Sequence, residues 1–316
     1  MTAPASDPYP DAPLSFIGIN GARLAYRLKG EPELPLLITL HGGRGFGSHD
    51  GDFAAFHPLS DTFRVLSFDF RGHGQSSPTY PYTFKQIVDD IEGLRRHFAG
   101  DEKAVILGGS FGGFIAQQYA ITYPDSVSHL LLRGTAPSHH HEKEALENIR
   151  RRAATKAPMA SENYLKKIFG TITDDNEFRI IMFAIGPLYL DGAYDADKAL
   201  ESSRKTIYNA ESHNSLYSEK EKYFDYREGL KTLSIPTLIF VGEHDWITPP
   251  CTPASPTFLM PRPLMKGAII AQSKLIHERA PNSKLVIFPN ANHSVHHDKN
   301  AEVLKLIRDF VSSSTA

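Results

Sequence analysis

The chain has a single cysteine, Cys251, in 316 residues. That excludes an internal disulfide and suits a reducing compartment. Charge of one sign is also lacking, since 34 basic and 36 acidic residues leave a formal net charge of −2. There is accordingly no electrostatic case for nucleic acid or an anionic membrane as partner. No apolar run reaches membrane-spanning length, and no internal repeat is present. Residues 1–13 have neither a basic start nor an apolar stretch, which speaks against a signal peptide or anchor. Rich in Pro, Ala and Asp, they are expected to form a disordered leader. Metal-ligand spacing is absent as well. His139, His140 and His141 are adjacent in a loop, where their side chains diverge, so no metal and no cofactor is expected. The glycines of Gly43-Arg44-Gly45-Phe46-Gly47 lack the Gly-Lys-Ser/Thr ending of a phosphate loop. What is there is an ordinary globular composition, 41% hydrophobic and 22% charged. The expectation is a cytoplasmic monomer or small homo-oligomer with a large core.

Residues 16–20 and 23–29 alternate around Asn20-Gly21, a strong hairpin signal. Continuous apolar runs at 34–40, 63–68, 104–107, 129–132, 237–241 and 284–288 read as strands covered on both faces. Helical patterns lie between them, among them Ile87, Ile91, Leu94 and Phe98, and the chain closes on another at Val303, Leu304, Ile307, Phe310 and Val311. Strands alternating with helices predict an α/β fold with a mostly parallel sheet and helices on both faces. The alternation stops between residues 137 and 234, where only polar helical stretches occur. This segment is expected to be a helical cap inserted into a core formed by residues 14–136 and 235–316. A Pro-rich stretch at about 250–271 is far longer than an ordinary strand-to-helix connection and reads as a surface insertion.

The chemistry gathers where strands end. Residues 105–107 run into Gly108-Gly109-Ser110-Phe111-Gly112, and a helical pattern begins at once with Phe111, Phe114, Ile115 and Tyr119. A strand turning directly into a helix puts Ser110 on a tight bend above the sheet, beside the first free N–H groups of the helix. Three further strand ends carry polar residues: the loop from His41, Asp245, and His293. A serine hydroxyl needs a base to remove its proton, and that base works better when a carboxylate fixes its tautomer. Ser110, Asp245 and His293 supply these roles in the order Ser, Asp, His. His293 is favoured over His296 and His297 because it directly follows the strand and its turn. Asp245 is favoured because residues 133–136, after the preceding strand, contain no acid.

The chain resembles the α/β-hydrolases, and among them the proline iminopeptidase-like group. The matching residues are His41-Gly42-Gly43, Asp69 with Arg71-Gly72-His73-Gly74-Gln75-Ser76, Gly108 to Gly112, Gly242-Glu243-His244-Asp245 and Asn292-His293. The resemblance implies acyl transfer to water through a serine ester, with the N–H groups of Gly43 and Phe111 as oxyanion hole. Two positions depart from the group: Arg44 stands where it carries proline, and Phe111 where it carries tryptophan. The group holds a substrate's free amine with cap carboxylates, and Glu211, in Glu211-Ser212-His213-Asn214, is a partial match. Arg44, expected at the pocket mouth, favours an anionic or carbonyl-rich substrate. The expected activity is hydrolysis of an ester or amide bond in a small molecule or at a peptide N-terminus. The alternatives are an esterase, lactonase or thioesterase of small-molecule metabolism and, in another class, a non-catalytic ligand-binding protein on the same fold. Arg71 to Gly74 reads as a structural turn.

Overall fold

In the computed structural model, residues 7–189, 194–247 and 272–314 are described. The alternation around Asn20-Gly21 becomes the hairpin β1 (Ser15–Ile19) and β2 (Ala22–Lys29). Asn20 and Gly21 both take positive φ, 47° and 79°, which is the turn geometry that matches the twist of paired strands. The apolar runs become β3 (Leu36–Leu40), β4 (Arg64–Phe68), β5 (Ala104–Gly109), β6 (Val127–Arg133), β7 (Thr237–Gly242) and β8 (Ser283–Phe288). They form one eight-stranded sheet in the order β1-β2-β4-β3-β5-β6-β7-β8. Only the β1–β2 and β2–β4 pairings are antiparallel.

Every residue of β3, β5 and β7 is buried, as strands with helices on both faces require. One face of the sheet is covered by α2 (Phe84–Ala99) and α3 (Phe111–Thr122), through Ile87, Ile91, Leu94, Ile115 and Tyr119. α9 (Gln272–Arg279) adds Ile276 to the same cluster. The other face is covered by α1 (His49–Phe56) and α11 (Asn300–Ser314), through Phe56, Val303 and Ile307. Full burial of each such side chain contributes about 1.5–3 kcal/mol.

Between β6 and β7 the described residues form the helices α4 (His141–Lys156), α5 (Glu162–Ile168), α6 (Asp175–Ile185), α7 (Ala196–Lys205) and α8 (Ala210–Leu216). Side-chain caps from Ser161, Asp174, Asp195 and Asn209 start the last four.

The expected disordered leader needs correction over residues 7–13. Arg27 pairs with Asp7 at 3.0 Å and donates to the carbonyl of Ala12 at 2.7 Å, Ala12 is buried, and Tyr9 sits edge-on to Phe53 at 5.0 Å. A tyrosine ring and a buried guanidinium outweigh the disorder-favouring composition. The stretch at 250–271, with Cys251, lies outside the described residues. No described helix is long and apolar enough to cross a membrane.

Candidate active site

The bend at Ser110 is as tight as its spacing implies. Its backbone sits at φ 52°, ψ −119°, a left-handed conformation that non-glycine residues hold only under constraint. Neighbouring glycines permit it. A Cβ on Gly108 would strike the carbonyl of Gly112, and a Cβ on Gly112 would strike the carbonyl of Leu40. The bend is tied down by Ser110 N–H donating to the Arg133 carbonyl at 3.0 Å. In addition, Thr135 Oγ1 donates to the Ser110 carbonyl at 2.9 Å. Phe111 opens the helix, so its N–H has no intrahelical acceptor.

At the ends of β7 and β8, Nδ1–H of His293 donates to Oδ2 of Asp245 at 2.8 Å. Oδ1 of Asp245 accepts the Ile247 N–H at 2.9 Å. Both side chains are buried, at 7% and 0% exposure. A proton held on Nδ1 leaves Nε2 as the ring's acceptor. His293 and Ser110 line the same cavity. His296 lines this cavity too, but its ring stacks on Phe56 and faces Asp52 at 3.7 Å, and burial keeps it well below the usual imidazole range.

The loop after β3 closes over Ser110. A Cβ on Gly42 would stand 3.2 Å from the Ser110 Cβ, and Gly43 turns at φ 91°. His73 braces the loop from below: its Nε2 accepts the Gly45 N–H at 2.7 Å and its Nδ1–H donates to the Arg71 carbonyl at 3.0 Å. Burial pushes the His73 imidazole down to about 3, so it stays neutral. Arg71 forms a buried bidentate pair with Asp90, at 2.6 and 2.7 Å. Asp69 accepts from the N–H groups of His49 and Gln75, at 2.6 and 2.7 Å. These contacts tie the turn from Arg71 to Gly74 to α2 and to the loop after β3.

A second, smaller cavity also opens on Ser110. Arg44, Phe111, Phe114, Phe178, Met182 and Tyr217 line it, so α6 shares its wall with α3 and the loop after β3. Arg44 is not at the mouth; it is buried at 4% exposure, with its guanidinium carbon 3.9 Å from the Tyr217 ring centroid. Glu211 is not brought to this cavity. It is exposed and accepts from the hydroxyl of Tyr80, because the side of α8 carrying Ser212 and His213 is the buried one. Glu221, ten residues further on, accepts the Phe84 N–H at 2.7 Å. No described Asp or Glu lines the aromatic cavity, and no described cluster of side chains is suited to a metal. Sequence reasoning missed Tyr189, shared by both cavities, and the buried Arg133–Asp52 pair at 3.1 Å beneath the bend.

The family described as "alpha/beta hydrolase fold" matches residues 35–300. The chain is 53% identical to the proline iminopeptidase PfmaB of Pestalotiopsis fici over 93% of this chain and 98% of that one. A proline iminopeptidase of Saccharolobus solfataricus is 26% identical over 94% of this chain and 90% of that one. Among solved structures, a meta-cleavage product hydrolase of Pseudomonas fluorescens superposes with a TM-score of 0.69 at 22% identity, covering 95% of this chain and 98% of that one. The chain therefore belongs to the α/β-hydrolase family, in its proline iminopeptidase-like group.

Proposed function

We propose that this hydrolase cleaves an amide or ester bond, at a peptide N-terminus or in a small molecule, through an acyl ester on Ser110. Ser110 Oγ attacks the carbonyl carbon while Nε2 of His293 takes its proton. Asp245 holds the ring in the tautomer that accepts and stabilises the imidazolium that forms. The N–H groups of Gly43 and Phe111 receive the oxyanion, each donor contributing about 2.7–4 kcal/mol to the transition state. His293 then protonates the leaving group, and a water repeats the sequence to free the acid. The observation that carries this reading is the 2.8 Å His293–Asp245 bond beside the strained Ser110 in one cavity. The working partner is the substrate alone, with the protein acting as a monomer or small homo-oligomer in the cytoplasm.

A second reading, ester or lactone hydrolysis in small-molecule metabolism, is favoured by the absence of any described carboxylate lining the aromatic cavity. A free α-amine has no countercharge there. Proline and alanine arylamides assayed against short p-nitrophenyl esters separate the two. Turnover of the arylamides supports the peptidase branch, and turnover of the esters alone supports the other. Absence of turnover together with no labelling of Ser110 by a fluorophosphonate leaves a ligand-binding protein.

A further inference from the structure

The two cavities that meet at Ser110 differ in chemistry. Both are lined by Gly43, Phe46, Ser110 and Tyr189, but His293 lines only the larger one among the described residues. His293 hands its proton to the departing group, so the leaving group must be on the side of the larger, polar cavity. The acyl part is then left to the aromatic cavity.

That cavity contains an uncompensated cation. The Arg44 guanidinium lies within 5.4–5.6 Å of the ring centroids of Phe84, Phe111, Phe114 and Phe224, besides Tyr217. Its one hydrogen bond, to the Leu216 carbonyl, is long at 3.4 Å, and Nη2 has no hydrogen-bond partner. No ion pair reaches it among the described residues. Ring faces attract a guanidinium but do not replace the hydrogen bonds lost with water. The acid that feels its field, Glu142, is itself pushed up to about 7 by burial and has an unpartnered Oε1, so it is a poor countercharge near neutrality.

We propose that the aromatic cavity is the acyl-group site and that it takes an acyl chain bearing an anionic oxygen, a carboxylate or an enolate, on Arg44. The proposal rests on the acyl-enzyme reading for Ser110 and selects its small-molecule ester branch, because a buried cation repels an α-ammonium group. A guanidinium offers two parallel donors to a carboxylate, and Nη2 of Arg44 is buried with no partner of its own.

The test compares kcat/KM for p-nitrophenyl hemiglutarate and p-nitrophenyl valerate, which share a leaving group and differ at the far end of the acyl chain. Wild type is expected to favour the hemiglutarate by about tenfold or more, the effect of one charge-assisted hydrogen bond. The ratio should collapse towards one in Arg44→Gln and survive in part in Arg44→Lys. A wild-type preference for valerate, or a ratio unchanged in Arg44→Gln, overturns the proposal. Should Arg44→Gln not fold, calorimetry on Ser110→Ala decides: glutarate must bind more tightly than glutaramide, and equal or absent binding overturns it. Failure of the acyl-enzyme reading shows separately, as wild-type turnover of both esters by Ser110→Ala.

Discussion

Gly134 lies at the foot of the His293–Asp245 pair: a Cβ there would come within 3.0 Å of Asp245 Oδ2 and 3.4 Å of His293 Nδ1. Its φ of 47° is also one that side chains resist. The end of β6 thus carries no acid of its own and gives its space to the acid from β7. Gly134→Ala is expected to lower kcat at least about tenfold by displacing the imidazole. The stability loss from backbone strain should be of order 1–3 kcal/mol. Steady-state kinetics beside thermal unfolding tests this; unchanged kcat in a destabilised protein would show that the pair tolerates displacement.

The His73 ring holds the loop after β3 through the Gly45 N–H and stacks beside Phe111 at 6.4 Å. In His73→Phe that donor loses its acceptor, and the loop carrying Gly43 loses its brace. kcat should fall about 10- to 100-fold with a smaller change in KM, since an oxyanion donor acts on the transition state. Equal losses in both parameters would instead indicate disturbed substrate binding.

Arg71 and Asp90 are a buried pair, each side chain at 1% exposure. Asp90→Ala leaves the guanidinium without its partner and should cost about 3–5 kcal/mol. Urea denaturation measures this, and a loss below about 1 kcal/mol would contradict a structural role for the turn.

Glu142 binds a proton more readily folded than unfolded, since burial raises its carboxyl from 4.5 to about 7. Its effect on stability is therefore unfavourable and grows as pH rises from about 4.5 to 7, then levels off. Glu142→Gln should raise Tm at pH 8 and leave it nearly unchanged at pH 4.5. An equal shift at both pH values would remove ionisation as the cause.

Much of this was legible because parallel strands constrain both composition and position. The apolar runs gave the strands, and the polar residues directly after them, Ser110, Asp245 and His293, lie at the carboxyl edge of the sheet. α1 was not legible: His49 to Phe56 reads HDGDFAAF, with no helical stripe, and its only local signal is the cap from Ser48 to the Asp50 N–H. Glu211 and Arg44 show the same gap in opposite directions. Sequence places both near the pocket, but which side of α8 faces inward, and whether Arg44 folds under Tyr217, depend on contacts between segments remote in sequence. The packed residues 7–13 likewise depend on Phe53 and Arg27, remote in sequence and close in space.

The central claim, covalent catalysis at Ser110, is tested most directly by intact-mass spectrometry of the protein quenched during turnover of a p-nitrophenyl ester. One added acyl group, mapped to the peptide containing Ser110 and missing in Ser110→Ala, is the predicted result. Turnover at the wild-type rate by Ser110→Ala, with no acyl adduct on either protein, would contradict the account.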